Sequence, residues 1–256
     1  MHVELSHVDT IVANSFHNAF TSLCQWHGRY FLAWRQAQSH SIVPPGTIMI
    51  SERASWDMTH EIHATTLMHP LGDLRDPCFV VTPQLLFLLC GVYLPSPHLH
   101  DLHGLSAASN ENQLWSFYSY TRDGRTWAPL SPYLKPNSWG WSAVVESSRD
   151  HISGDDSTRW YLSSYDVGVS EPCHTITHWY GSPLAGFRNI GIMYDGGNRE
   201  QKCGELSCPW GMPSEPVLYQ PARDTLACYL RTEATMLVGT WQVGKAWRWH
   251  DTTLLL

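Results

Sequence analysis

The residues best equipped for chemistry are carboxylates and guanidinium groups placed at the ends of apolar runs. Asp73-Leu74-Arg75-Asp76-Pro77-Cys78-Phe79-Val80-Val81 carries a charged triplet into an apolar strand, and Leu85 to Gly91 forms a second. Pro213-Ser214-Glu215 opens another strand pair that Tyr229-Leu230-Arg231 closes, and Leu32-Ala33-Trp34-Arg35 closes a third. Paired carboxylates suit glycosidic-bond hydrolysis, one giving a proton and the other acting as base or electrostatic partner. Clustered arginines suit a carboxylate-bearing sugar, because guanidinium binds carboxylate through two parallel hydrogen bonds. Asp76 and Glu215 are therefore the candidate catalytic residues. Arg35, Arg75 and Arg231 are candidate substrate ligands, with Glu233 close by in sequence. Two structural readings stand beside these: an Arg75–Asp76 pair that pins a loop, and structural salt bridges at Arg35 and Arg231.

Trp139, Trp141 and Tyr165 offer rings on which a sugar can stack, though blade packing uses the same residue types. His98, His100, Asp101 and His103 fall in a polar insertion, residues 95–113, without the spacing of a metal site. No metal and no cofactor is expected. Four cysteines, Cys24, Cys78, Cys90 and Cys228, sit in apolar runs as buried thiols, and Cys203 with Cys208 is a possible loop disulfide.

The elements that must position these groups are short strands. Residues 17–26 and 29–35 flank a His27-Gly28 turn and read as a hairpin, followed after Pro44-Pro45-Gly46 by strands at 47–51 and 61–67. The rhythm of a hairpin and two further strands recurs. A second unit has strands at 73–81, 85–91, 114–120 and 127–133. A third has strands at 139–145, 160–165, 175–180 and 189–193. A fourth has strands at 213–219, 226–231, 236–241 and 249–256. No amphipathic helix interrupts them. The expected fold is an all-β propeller in one domain, residues 1–256, with blades at roughly 14–70, 71–136, 137–212 and 213–256. A β-sandwich is the alternative, but it does not require the same four-strand rhythm four times.

Composition agrees and excludes other classes. Of 256 residues, 43% are hydrophobic and 15% charged, which predicts a sizeable core rather than disorder. Thirteen Trp and eleven Tyr suit β-structure and sugar-binding surfaces. The net charge is -7 with three lysines, so there is no basic footprint for nucleic acid. No run is long enough to span a membrane, and the lack of a leader ahead of the first strand favours a cytoplasmic location.

Tyr120-Thr121-Arg122-Asp123-Gly124-Arg125-Thr126-Trp127 resembles the Asp box, the turn between third and fourth strands of sialidase blades. Ser51-Glu52-Arg53-Ala54-Ser55-Trp56 holds the same place in the first unit without the Asp and Gly. With Asn18-Ala19-Phe20-Thr21, Leu32-Ala33-Trp34-Arg35, Ser39-His40, Leu74-Arg75-Asp76-Pro77, Pro213-Ser214-Glu215 and Tyr229-Leu230-Arg231, in that order, the chain resembles bacterial sialidase-like (BNR-repeat) glycoside hydrolases. The resemblance implies a propeller of five or six blades, of which about four are visible here, the C-terminal blades lacking. It implies an exo-acting hydrolase of a sialic-acid-type sugar, or a truncated form of one, with a carbohydrate as partner. It places the family's late arginine and nucleophilic tyrosine beyond Leu256, and Gln36 stands where a Glu often follows the first-blade Arg. Arg75-Asp76-Pro77 also resembles a motif of five-bladed invertase- and arabinanase-type glycosidases, in which an Asp stabilises the transition state. Glu171, in Ser170-Glu171-Pro172-Cys173, is a weaker match to their acid. The alternative is a non-catalytic propeller that binds glycans or proteins, and an open ring would favour self-association.

Overall fold

The computed structural model describes residues 10–56, 60–94, 113–146, 159–166, 175–195, 202–203, 206–207, 213–222, 224–232 and 235–252. The histidine-bearing insertion, Glu171, Glu233 and Cys208 lie outside them.

Four antiparallel four-stranded sheets form a four-bladed β-propeller arrangement, each sheet running in chain order from its first strand to its fourth. Blade I holds β1 (His17–Trp26), β2 (Arg29–Ala37), β3 (Thr47–Arg53) and β4 (Glu61–Leu67). Blade II holds β5 (Asp73–Val81), β6 (Leu86–Leu94), β7 (Gln113–Thr121) and β8 (Ser131–Pro132). Blade III holds β9 (Ser138–Val145), β10 (Trp160–Asp166), β11 (Thr175–Ser182) and β12 (Gly186–Asp195). After a short hairpin, β13 (Lys202–Cys203) with β14 (Leu206–Ser207), blade IV holds β15 (Ser214–Ala222), β16 (Thr225–Arg231), β17 (Met236–Gln242) and β18 (Arg248–Thr252). The main departure from the sequence reading is the fourth strand of blade II. Only Ser131–Pro132 and an isolated Thr121–Trp127 bridge pair with β7. Pro129 and Pro132 have no N–H to give a longer ladder.

The first strands are innermost: β1 packs on β5, β5 on β9 and β9 on β15. Three apolar cores fill the seams between successive blades. Phe31, Ile48, Ile50, Leu74, Leu88 and Phe117 close the seam of blades I and II. Leu85, Phe87, Leu89, Trp160 and Leu162 close that of II and III. Ile176, Met193, Leu218, Leu226, Leu230 and Trp249 close that of III and IV. Among the described residues no such core joins blade IV to blade I, and Val217, Tyr219, Tyr229 and Met236 of blade IV are exposed.

The Asp123 turn shows how a short polar motif locks one blade to the next. Asp123 Oδ1 accepts the N–H groups of Arg125 and Thr126, both at 2.8 Å, and these bonds hold its carboxyl well below the usual range. Gly124 has φ +80°, and a Cβ there would meet the Phe31 ring at 2.7 Å, so the turn lies flat on blade I. Arg125 Nε then reaches Glu52 Oε2 of blade I at 3.4 Å.

Trp160 fixes the middle seam. It is fully buried, with its ring 4.7 Å and nearly perpendicular to that of Phe87. Trp160→Ala should lower unfolding free energy by about 3–5 kcal/mol, the usual cost of deleting a buried large aromatic. Urea denaturation followed by far-UV circular dichroism checks this; a loss under about 1 kcal/mol would mean the seam re-collapses around the cavity.

Candidate functional site

The innermost strands share one irregularity. Each carries one extra residue relative to its neighbour: between Ala19 and Ser22 on β1, Arg75 and Cys78 on β5, Gly140 and Ser142 on β9, and Ser214 and Val217 on β15. Such bulges bend the strand and re-aim a side chain. Phe20, Asp76, Trp141 and Glu215 occupy them, and all four line one central cavity of about 600 Å³. Three of the four have left-handed backbone: φ is +55° at Phe20, +48° at Asp76 and +56° at Glu215. That conformation costs an L-residue about 1–2 kcal/mol. Pro77 and Pro216 follow the two acids. Pro77 therefore does not begin a strand; it sits inside a bulge, where no ladder hydrogen bond is asked of it.

Asp76 and Glu215 thus share one cavity from blades II and IV, and Phe20 and Trp141 share it from blades I and III. Asp76 is largely buried and, among the described residues, accepts no hydrogen bond. Burial pushes its carboxyl up to about 7; Arg75 and Arg35 oppose that rise, while Glu215 and Asp73 add to it. A carboxyl that titrates near neutrality can both give and take a proton there. Glu215 accepts a hydrogen bond from Arg231 Nη1 at 2.9 Å.

The arginines divide. Arg75 lines the cavity, its Nε 2.5 Å from Asp73 Oδ2 and its Nη2 2.6 Å from the His40 carbonyl oxygen. Its Nη1 makes no hydrogen bond among the described residues and remains available. Arg231 stands at the same end, its side chain 64% exposed, touching the cavity through Glu215. Arg35 is placed otherwise than the sequence suggested. It is wholly buried beneath the rim, donating to Asp73 Oδ1 from Nη2 at 2.7 Å and to the carbonyls of Ser39 and Ser41 at 2.9 and 2.8 Å. β2 is the second strand out from the axis, so a residue at its end falls behind the innermost strand. The structural reading of Arg35 holds.

Trp141 and Tyr165 do line the cavity. Trp139 joins them, stacked on Tyr165 at 5.8 Å, and Tyr93 closes the group edge-on to Trp139 at 5.4 Å. Gly91 makes room for this: a Cβ there would meet the Trp139 ring at 2.7 Å. The Arg75 guanidinium lies over the rings of Tyr93 and Phe20, at 5.3 and 5.9 Å. Cys78 also faces the cavity, but burial pushes its thiol up to about 11, so it is not a thiolate nucleophile near pH 7. No group of three or more His, Cys, Asp or Glu able to hold a metal occurs among the described residues.

Sequence reasoning named Trp139 among the stacking rings but missed Asp73, Phe20, His40 and Tyr93 as residues of the site. The acid-Pro pair repeated in Asp76-Pro77 and Glu215-Pro216 was the available signal for the bulges. It also marks the equivalent Phe20-Thr21 once the strands are aligned.

Neither a family model nor a curated protein sequence matches the chain. Solved structures do. The chain is similar to Trypanosoma rangeli sialidase in complex with sialic acid at 11% identity and a TM-score of 0.59, over 94% of this chain and 38% of that one. It is similar to Zg3597, a family 117 glycoside hydrolase produced by the marine bacterium Zobellia galactanivorans, at 10% identity and a TM-score of 0.53, over 94% and 71% of the two chains. A Bacteroides ovatus xyloglucan PUL GH43B is similar at 11% identity and a TM-score of 0.50, over 97% and 43%. The chain thus spans 38% of the length of the sialidase. At such identities the likeness is one of fold, a glycoside-hydrolase-type β-propeller.

Two stability predictions follow from this geometry. In the unfolded chain Asp76 ionises near its ordinary value of 3.8, and in the fold near 7, so the folded chain holds the proton more tightly. The Asp76 contribution to stability is therefore full below about pH 4, is lost between about pH 4 and 7, and is flat above. Asp76→Asn, neutral at all pH and tolerant of left-handed backbone, should be more stable than wild type at pH 8 by about 1–3 kcal/mol. The gap should narrow towards pH 4. Urea titrations at pH 4, 5.5 and 8 check it, and a pH-independent gap would refute the assignment. Asp73→Asn leaves two guanidinium groups without their anion and should cost about 3–5 kcal/mol by the same assay.

Proposed function

We propose that the cavity is the site of an exo-acting, sialidase-like glycoside hydrolase that takes an acidic, sialic-acid-type sugar. Asp76 carries the reading: a carboxyl that titrates near neutrality, held on a strained bulge, beside a cavity-facing guanidinium and in the same cavity as an ion-paired carboxylate. In this role Asp76 gives its proton to the glycosidic oxygen as the bond to the leaving group breaks. Glu215, ion-paired with Arg231, faces the positive charge that develops on the ring, and water adds to the ring carbon while its proton returns to the Asp76 carboxylate. Arg75 binds the sugar carboxylate through Nη1, aided at the rim by Arg231, and Trp141 and Tyr165 stack on the ring. The glycoside hydrolase neighbours support a carbohydrate as partner. Arg35 enters only by fixing the rim.

A glycan-binding module without turnover is the second reading. It is favoured by one observation: Arg75 and Arg231 already have protein carboxylates as partners, which suits a preformed ligand cradle as well as a catalytic one.

A panel of aryl glycosides that includes sialosides and uronides separates the two. On the enzyme reading, wild type cleaves an acidic member and the rate falls as pH rises through about 7, where Asp76 loses its proton. Asp76→Asn should retain binding but lower kcat by about 100-fold or more. Arg75→Ala should raise KM strongly, and Arg75→Lys should restore it only in part. Binding of an acidic sugar with no cleavage of any substrate would select the module.

A further inference from the structure

Phe20 is difficult to account for as a packing residue. A bulky side chain at φ +55° is a true backbone outlier, and such positions persist only where the surroundings over-determine them. Core burial does not supply that hold. Phe20 belongs to none of the three seam cores, and its ring is partly exposed in the central cavity. The two other left-handed residues on innermost strands are Asp76 and Glu215, at the equivalent bulges. Blade I therefore keeps the same costly geometry as the blades that present the carboxylates, but uses it to present an apolar ring.

The surroundings show what that ring faces. The Arg75 guanidinium lies 5.9 Å from its centre, and the His40 ring lies 5.5 Å away, tilted against it. His40 is itself fixed through its backbone, because Arg75 holds its carbonyl and Arg35 holds those of Ser39 and Ser41. Trp141 lines the same cavity from blade III.

We propose that Phe20 is a substrate-contacting residue that forms the blade I wall of the sugar pocket, with Trp141 on its blade III side, and receives the apolar face of the ring whose carboxylate Arg75 binds. This rests on the glycosidase or glycan-binding reading of the cavity and adds to it the residue that decides which ring face is accepted.

The test uses Phe20→Gly and Phe20→Asn, both of which relax the left-handed backbone and remove the aromatic ring, with Phe20→Tyr as the conservative control. Thermal unfolding is one readout; binding of free N-acetylneuraminic acid and glucuronic acid, by titration calorimetry, is the other. A contact residue strained for its ligand predicts a melting temperature unchanged or raised by about 2–4 °C in the Asn variant. It predicts binding weakened about tenfold in the Gly and Asn variants, and retained within about threefold in the Tyr variant. A melting temperature lowered by several degrees in both Gly and Asn variants would make Phe20 a packing residue and overturn the proposal. Unchanged binding in those variants would overturn it equally. Should wild type bind neither acid and cleave no glycoside, the sugar reading of the cavity itself fails. The melting arm still decides Phe20 in that case, as a residue strained for another ligand or as plain packing.

Discussion

The rim of the cavity depends on one buried carboxylate. Asp73 accepts hydrogen bonds from Arg35, from Arg75 and from the N–H of Gly46, the last at 2.6 Å. Two guanidinium groups on one carboxylate leave an excess positive charge in a dry place, which is costly unless other dipoles absorb it. The carbonyls of Ser39, His40 and Ser41 do so. Each ties the β2–β3 loop to an arginine, and the loop thereby becomes part of the cavity wall instead of a tether. Gly46 is required at the point of closest approach, since a Cβ there would meet Arg35 Nε at 2.7 Å and Asp73 Oδ1 at 2.9 Å. Arg75 is in turn held with one face on Tyr93 and one nitrogen turned to the cavity.

Strain at the axis is tolerable because the blades behind it are rigid. Bulges at one height on all four innermost strands interrupt the ladders where they matter least to the seams: the next strands outward, β2, β6 and β10, are mostly buried, and β16 buries Leu226, Ala227, Cys228 and Leu230 while exposing Tyr229 and Arg231. Burial at about 25 cal/mol per Å² of apolar surface across three inter-blade cores outweighs a few kcal/mol of left-handed backbone. The residues that face the axis are thus free to be chosen for what they present, and two of the four are acids.

Much of this was legible in the chain. Hairpin signals such as His27-Gly28 and the recurring four-strand rhythm located nearly every strand, because alternation and turn chemistry are local. Asp76, Glu215 and Arg75 were legible because charge inside an apolar run is conspicuous. Arg35 was misplaced for the same reason: a strand-end arginine reads alike whether its strand lines the axis or lies one step behind it, and only the sheet order separates the two. Phe20 and Tyr93 were not legible as site residues. An aromatic in a strand is the default core residue, and what makes Phe20 different is a backbone angle and a place on the cavity wall beside Arg75 of the next blade. Asp73 was read as one charge of a triplet: its neighbour Arg75 was in view, but its second arginine, Arg35, comes from another blade far away in the sequence.

The electrostatics of the cavity tie ligand charge to the proton on Asp76. With Asp76 protonated, three guanidiniums, those of Arg35, Arg75 and Arg231, face two carboxylates, those of Asp73 and Glu215. One positive charge is then unbalanced, and a sugar carboxylate on Arg75 neutralises it. That same carboxylate brings a further negative charge close to Asp76, where the charges of Glu215 and Asp73 already act to raise its pKa. On the proposed reading, an anionic substrate therefore strengthens the hold on the proton that its own cleavage requires. By linkage the converse holds: protonated Asp76 favours the anion, and the two are bound together or released together. A neutral sugar would leave the charge unbalanced and the acid half loaded near pH 7, which is a physical basis for selecting acidic substrates that does not depend on shape.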